Sequence, residues 1–344
     1  MDFIGLDIGT STIKAVQLKQ EIHRQPKLFL YASAAAPPRN MSSESDADLK
    51  LIAGALSDFI QSFPFTTRSV IVALPESQIF TRVINLPQMS EKELKSAMQW
   101  EAEQYIPVPL SDVSMDYEVL DSLETDKTKG SMDILLIAAP KVLVNKYLRV
   151  LKEAKLEPVA IETETVAVSR SLVGTDPSAP VTMVVNIGAT TTDIAIVARG
   201  AVRFTRSIST GGEALARAVS QNLGFDLDQA EEYKRTYGLD ETKLEGKIMK
   251  AIKPIFDVIV EEIKRSIAFY STHKKSEGIK RLVLCGGTAS LPGIMVYLAG
   301  SLDIEVQSGN PWRLIDTPLK FPKKELEEIG PSFAVAAGLA LKEI

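Results

Sequence analysis

Asp7-Ile8-Gly9-Thr10-Ser11-Thr12 and Asn186-Ile187-Gly188-Ala189-Thr190-Thr191 are two copies of one short pattern. Each ends one β-branched apolar run and begins another, which predicts a strand, a tight polar turn and a returning strand. Glycine at the bend accepts positive φ and carries no side chain, so backbone N–H groups can converge on an anion. The offset is 186 − 7 = 179 at the acid/amide position and 188 − 9 = 179 at the glycine, without a gap. That spacing predicts two halves built alike, with two hairpins able to hold a polyphosphate from both sides.

A chain of 344 residues exceeds what one core usually supports, and two domains of roughly 170 residues are expected. Hydrophobic content of 45% and charged content of 24% belong to an ordinary globular protein. A net charge of −5 argues against a nucleic-acid binder that works by neutralising phosphates. One cysteine, Cys285, makes no internal disulfide, and with two histidines it makes no Cys/His zinc site. No stretch reaches the ~18 apolar residues of a membrane span, and residues 3–9 run straight into a strand without a secretory leader. The chain reads as cytoplasmic, with any membrane address supplied by a partner.

Strands are predicted over 2–18 as a hairpin, then near 27–33 and 69–74, with a helix between them whose apolar positions Leu49, Ile52, Leu56, Phe59 and Ile60 recur at helical spacing. Residues 76–158 change style and read as a small inserted α/β unit. It holds a strand over 79–86, a helix begun by a Ser90/Glu93 capping box and ended before Pro107, strands over 116–120 and 133–138 joined by a charged turn at 125–130, and a helix over 141–155. The second half carries the 181–198 hairpin, a strand over 203–208, and helices near 212–223, 226–237 and 245–274. The last has Ile248, Ile252, Ile255, Ile259, Ile263 and Ile267 on one face, which reads as a core stripe rather than a membrane anchor. A strand over 281–285 leads to Gly286-Gly287-Thr288, Pro292 is placed to open a helix, and 332–341 reads as a buried terminal helix.

Chemistry would gather at these turns. Asp7, at a strand end, can hold a hydrated Mg²⁺ beside phosphate oxygens, or simply bond its own turn. Thr10, Ser11 and Thr12 offer N–H and hydroxyl donors; Lys14 is either a phosphate contact or a solvated strand lysine. Gly188, Ala189, Thr190 and Thr191 repeat the cradle, and Asp193 adds a second carboxylate or faces water. Gly211, Gly212 and Glu213 form a helix-start turn, and Glu231 with Lys234 three residues on can grip a ribose or purine edge or form a surface ion pair. Gly286, Gly287 and Thr288 would let backbone lie against a planar base.

The order of these features resembles the actin/Hsp70/sugar-kinase ATPase superfamily over essentially the whole chain. Within it, Leu86-Pro87-Gln88-Met89-Ser90-Glu91-Lys92-Glu93-Leu94 and Trp100-Glu101-Ala102-Glu103-Gln104-Tyr105-Ile106-Pro107 look like the PilM family of type IV pilus assembly proteins, related to FtsA. The resemblance implies an α/β actin-like fold: 1–75 with 159–180 as the first core half (1A), 76–158 as an FtsA-type inserted subdomain (1C), and 181–344 as the second half (2A, with 2B near 210–275). It implies ATP and Mg²⁺ in the interdomain cleft, with phosphates at the two turns and with Glu213, Glu231, Lys234, Gly286 and Gly287 around ribose and adenine. Glu164 falls where relatives place a residue that positions the attacking water. Asn186 stands where the superfamily usually has aspartate, and an amide brings no negative charge to Mg²⁺, which points to slow hydrolysis at most. The resemblance further implies a cytoplasmic scaffold, peripheral to the inner membrane, that receives the N-terminal peptide of PilN between 1A and 1C, with other platform proteins and self-association open. A sugar or polyol kinase and an FtsA/MreB-like filament are the alternatives.

Overall fold

Both predicted hairpins form. In a computed structural model, which describes residues 2–20, 25–120, 130–273 and 278–343, β1 (Ile4–Ile8) pairs antiparallel with β2 (Thr12–Lys19), and β9 (Thr182–Ile187) with β10 (Thr192–Ala198). The Gly9 N–H donates to the Thr12 carbonyl at 3.1 Å and the Gly188 N–H to the Thr191 carbonyl at 2.9 Å, closing both turns alike. A Cβ at Gly9 would lie 2.7 Å from the Thr12 carbonyl oxygen, so the turn excludes any other residue there.

The likeness extends to the sheets. The first adds β3 (Lys27–Ala35), β4 (Ser69–Leu74) and β8 (Glu157–Thr163) in the order β3-β2-β1-β4-β8; the second adds β11 (Ala201–Ile208), β12 (Arg281–Cys285) and β13 (Glu305–Ser308) in the order β11-β10-β9-β12-β13. In each, the hairpin is antiparallel and the two later strands run parallel to its first strand. Parallel neighbours need crossovers, and helices supply them: α1 (Asp46–Gln61) before β4, and α5 (Gly212–Leu223), α6 (Leu227–Tyr237) and α7 (Lys247–His273) before β12. Ile248, Ile252, Ile259 and Ile263 of α7 are buried in the core under the second sheet, so the apolar stripe is a core face, continuous through Pro254.

A third sheet interrupts the first half between β4 and β8. Its strands β5 (Phe80–Pro87), β6 (Val113–Leu120) and β7 (Ser131–Pro140) stand in the order β5-β7-β6, covered by α2 (Glu91–Tyr105). Ser90 and Glu93 make the capping box at the start of α2. Leu94, Met98 and Ala102 pack on Ile84, Ile134 and Leu136 as a separate small core. Helix α3 (Lys141–Glu153) returns the chain to β8. The predicted charged turn over 125–130 falls almost wholly outside the described residues.

The edge strands β8 and β13 were not anticipated, because half-buried edges lack a continuous apolar run. Pro292 does not open its helix: α8 (Ile294–Leu302) starts after Gly293 at φ 77°, and the Pro292 carbonyl accepts the Leu239 N–H at 2.7 Å. Strand β13 leads through α9 (Lys323–Ile329) to α10 (Ala334–Ala340), every residue of which is buried. Helix α10 packs on α4 (Glu164–Leu172), the helix that follows β8, so the last helix of each half meets the other.

Candidate functional site

The two turns face each other. Thr10 Oγ1 and Thr190 Oγ1 stand 3.5 Å apart across a cleft of about 110 Å³. Its walls are Asp7, Gly9, Thr10, Ser11, Thr12 and Lys14 on one side and Asn186, Gly188, Ala189, Thr190, Thr191 and Asp193 on the other. Glu164, the first residue of α4, and Gly286 and Gly287, after β12, complete it, with Pro331 and Ser332 from the turn before α10 and Ala334 and Val335 from its start.

The hairpins carry their charges at equivalent but exchanged places. Asp7 is cross-strand from Lys14, and Asn186 is cross-strand from Asp193. Since 14 + 179 = 193, the second copy has its carboxylate where the first has its lysine. Lys14 Nζ donates to Thr12 Oγ1 at 2.6 Å and lies 3.8 Å from Asp7 Oδ2. Asp193 accepts from Ser207 Oγ at 2.5 Å and from Thr191 Oγ1 at 3.4 Å.

Electrostatics single out this cleft. Burial raises Asp7 above the ordinary carboxylate range, with Lys14 opposing. Burial raises Glu164 well above it, with Asp193, Asp7 and Glu76 adding to the effect. Asp193 is pushed up to about 7, chiefly by burial and then by Glu76, against the hydrogen bonds from Ser207 and Thr191. Asp7, Glu164 and Asp193 thus line the cleft beside Lys14, whose charge opposes the rise at Asp7 and Glu164. Carboxylate oxygens are hard ligands of the kind Mg²⁺ takes, but among the described residues no three acidic, histidine or cysteine side chains converge on one point to hold an ion.

A folded pKa near 7 against an ordinary value of 3.8 means that the folded chain holds a proton on Asp193 that the unfolded chain releases between those pH values. Stability therefore falls as pH rises through that window, by on the order of a few kcal/mol from this group. Denaturant titrations of the cation-free protein should show that decline, flattened in Asp193→Asn. An Asp193→Asn profile with the same slope would remove Asp193 as its source.

The remaining predicted residues support the second turn from beneath. The Gly188 carbonyl accepts from the Gly212 N–H at 2.9 Å and from Thr288 Oγ1 at 3.2 Å, and the Ala189 carbonyl accepts from the Glu213 N–H at 2.8 Å. A Cβ at Gly211 would lie 2.6 Å from the Ala189 oxygen, so this approach requires glycine. Lys234 is buried, donating to Glu231 Oε2 at 2.6 Å and to the Gly212 carbonyl at 3.0 Å; burial lowers its pKa. Gly211, Gly212, Glu213, Glu231, Lys234 and Thr288 therefore adjoin the cleft as a brace for its second turn and do not line the cavity. Gly286, at φ 91°, would place a Cβ 2.4 Å from the Ile187 oxygen.

Sequence reasoning missed Ser332 in the cleft wall and, outside the cleft, Glu76, which acts on Glu164 and Asp193 without lining it. Glu76 follows Pro75 at the end of a buried strand, which is a readable signal; Ser332 gave none, because only the fold brings the turn before α10 to the cleft.

A second depression separates the first sheet from the inserted one. It has a volume of about 300 Å³ and runs between β6 and β8, each an edge strand of its sheet. Leu74, Ile79, Met115, Ile137, Val144, Ile161 and Val166 give it an apolar floor, and Asp116 and Glu118 stand on the exposed face of β6. Glu162 in its wall is held by Arg170 through two hydrogen bonds, at 2.7 and 2.8 Å, and by Lys342 at 3.0 Å.

A family model described as type IV pilus assembly protein PilM matches residues 5–344. Among solved structures, a chain of a PilM-PilN type IV pilus biogenesis complex superposes with a TM-score of 0.84 at 29% identity, covering 99% of this chain and 98% of that one. The cell division protein FtsA of Neisseria meningitidis is 24% identical over 350 residues, 89% of this chain and 83% of FtsA. The ethanolamine utilization protein EutJ of Escherichia coli is 32% identical over 155 residues, 45% of this chain; the match spans only 48% of EutJ. Among the described residues no helix is long and apolar enough to cross a membrane.

Proposed function

The chain belongs to the type IV pilus assembly protein PilM family, and from that premise we propose that it is a nucleotide-binding scaffold that holds the N-terminal peptide of PilN on the cytoplasmic face of a pilus machine. The groove between β6 and β8 carries the peptide reading. Among the described residues both strand edges are unpaired, and facing one apolar floor they suit an extended segment that adds as a strand and sets alternate side chains into the floor. Asp116 and Glu118 favour a peptide with a lysine or arginine between its apolar anchors. Residues 76–158 serve as the unit that reads the partner, and the two duplicated halves as the nucleotide clamp. Membership in this family leaves the sugar-kinase and filament alternatives without support.

The cleft supports the nucleotide reading. Thr10, Ser11 and Thr12 meet the phosphates from one side and Gly188, Ala189, Thr190 and Thr191 from the other, with Lys14 as a point charge. Asp7 and Asp193 would hold Mg²⁺, which neutralises phosphate charge when bound. Glu164 orients water, while Asn186 brings no charge, so binding outweighs turnover. The Gly211–Glu213 turn, pinned by Lys234 and Thr288, keeps the second cradle rigid.

Removing a carboxylate from a cleft already crowded with them should relieve the fold and weaken the ligand. Asp7→Ala is expected to lower affinity for Mg²⁺-ATP by about tenfold or more, without lowering the unfolding midpoint of the ligand-free protein. Equilibrium binding of a fluorescent ATP analogue measures this; an unchanged affinity would remove Asp7 from the site.

A further inference from the structure

Between the end of β4 at Leu74 and the start of β5 at Phe80, the chain passes from the first sheet to the inserted one, and Glu76 lies in that passage. Glu76 is 5% exposed, and its Oε2 is buried without a hydrogen-bond partner. The Thr81 and Thr165 hydroxyl oxygens are buried without one too. Three hydroxyls face this carboxyl, each from a different part of the molecule: Thr165 on α4 beside Glu164, Thr81 on β5 of the inserted sheet, and Thr205 on β11 of the second half.

Glu76 has a different neighbour on each side. Toward the phosphate cleft it acts electrostatically on Glu164 and Asp193. Away from the cleft it floors a cavity of about 410 Å³ between β5 and β11, walled by Arg82 and Tyr105 of the inserted unit and by Arg206 of the second half. Ile79, three residues along the same passage, lines both this cavity and the apolar groove between β6 and β8.

Glu76, Thr81 and Thr205 line one cavity, and a buried carboxyl beside hydroxyls that do not bond it gains from any small motion that brings them into line. Here the three donors ride on three bodies, so their alignment depends on how the inserted unit and the second half stand relative to α4. We infer that Glu76 is a positioning residue that couples the phosphate cleft to the groove: movement of the second half against the first re-aims Thr205 at Glu76 while Thr165 stays with α4, and the shift passes along residues 76–79 to the groove wall. This rests on the reading of the cleft as a nucleotide site and of the groove as a peptide site.

The test is a coupling ratio. Affinity for a labelled peptide of the PilN N-terminus is measured by fluorescence anisotropy with and without Mg²⁺-ATP, in the full chain and in Glu76→Gln, Thr81→Val and Thr81→Ser. The unsubstituted chain should show a ratio of about fivefold or more. Glu76→Gln and Thr81→Val should each keep both single-ligand affinities within about twofold while the ratio falls to one, and Thr81→Ser, which keeps the hydroxyl, should restore it. A ratio that survives Glu76→Gln overturns the assignment and leaves the two-site reading standing. A variant that loses both single affinities makes Glu76 merely structural and overturns it as well. A ratio of one in the unsubstituted chain removes the coupling itself, and the assignment with it.

Discussion

Gly338→Ala is expected to destabilise the chain by at least about 3 kcal/mol. An added Cβ at Gly338 would lie 1.8 Å from the Ala167 carbonyl oxygen and 2.4 Å from its carbonyl carbon, both backbone atoms of α4. Helix α10 cannot retreat from that clash. On its other side Gly5 of β1 is so close that a Cβ there would lie 2.2 Å from the Ala336 oxygen and 2.4 Å from the Ala340 nitrogen. The helix is wedged between a helix and a strand at backbone contact, and a close-packed interior cannot give way on both sides. Arg170 Nη1 and Ser171 Oγ fasten it further, donating to the Gly338 and Ala334 carbonyls at 2.7 Å each. Gly300, in α8 with nothing within 4 Å of its added Cβ, is the control: Gly300→Ala should stabilise by roughly 0.5–1 kcal/mol, the ordinary helix-propensity gain. Urea denaturation compares the two. Equal stabilities would mean that the helices do not meet at their backbones.

The second large effect concerns the joint between the inserted unit and the second half. Arg203 Nη1 of β11 lies 3.6 Å from Asp133 Oδ2 of β7, with both side chains at or below 5% exposure. Asn85 Nδ2 donates to Asp133 Oδ1 at 3.0 Å, and Arg203 Nε donates to the Ala198 carbonyl at 3.2 Å. Leu120, Leu135 and Val202 form an apolar cluster in the same joint. Asp133→Ala takes away the carboxylate that a buried guanidinium faces and should cost roughly 3–5 kcal/mol, whereas Asp133→Leu with Arg203→Met replaces the pair by apolar volume and should recover most of that loss. A single variant within about 1 kcal/mol of the parent would show that the joint does not depend on this pair.

The halves of this molecule differ in how plainly they are written. The twin turns are legible because each is a local event: a β-branched run, a glycine at the bend, a second run. Their constant offset reveals the duplication before any contact is known. The α7 stripe and the small-residue helix α10 are legible for the same reason, since helical spacing encodes a buried face. What escapes is set by distant partners. Arg203 and Asp133 are 70 residues apart, and nothing beside either foretells the other. Glu231 and Lys234 read as a grip on a ribose or purine edge or as a surface ion pair; that Lys234 is buried and donates to the Gly212 carbonyl, a backbone atom, is something no side-chain pattern can signal. Glu76 is marked in the sequence by its place after Pro75 at a strand end, but the elements that converge on it, β5, α4 and β11, are not.

The exchange of charge between the hairpins also changes how the missing acid at Asn186 is understood. A carboxylate remains in the second copy, moved across the strand pair to Asp193, where Ser207 and Thr191 hold it.

The most direct measurement is a calorimetric titration of a synthetic peptide of the PilN N-terminus into the chain and into Val166→Arg, which sets a charge in the groove floor between β6 and β8. Saturable binding to the chain is expected, weakened by at least about tenfold in a Val166→Arg protein that unfolds at the same urea concentration as its parent. Equal affinity in the two would contradict it, because the peptide would then be held somewhere other than between these two strand edges.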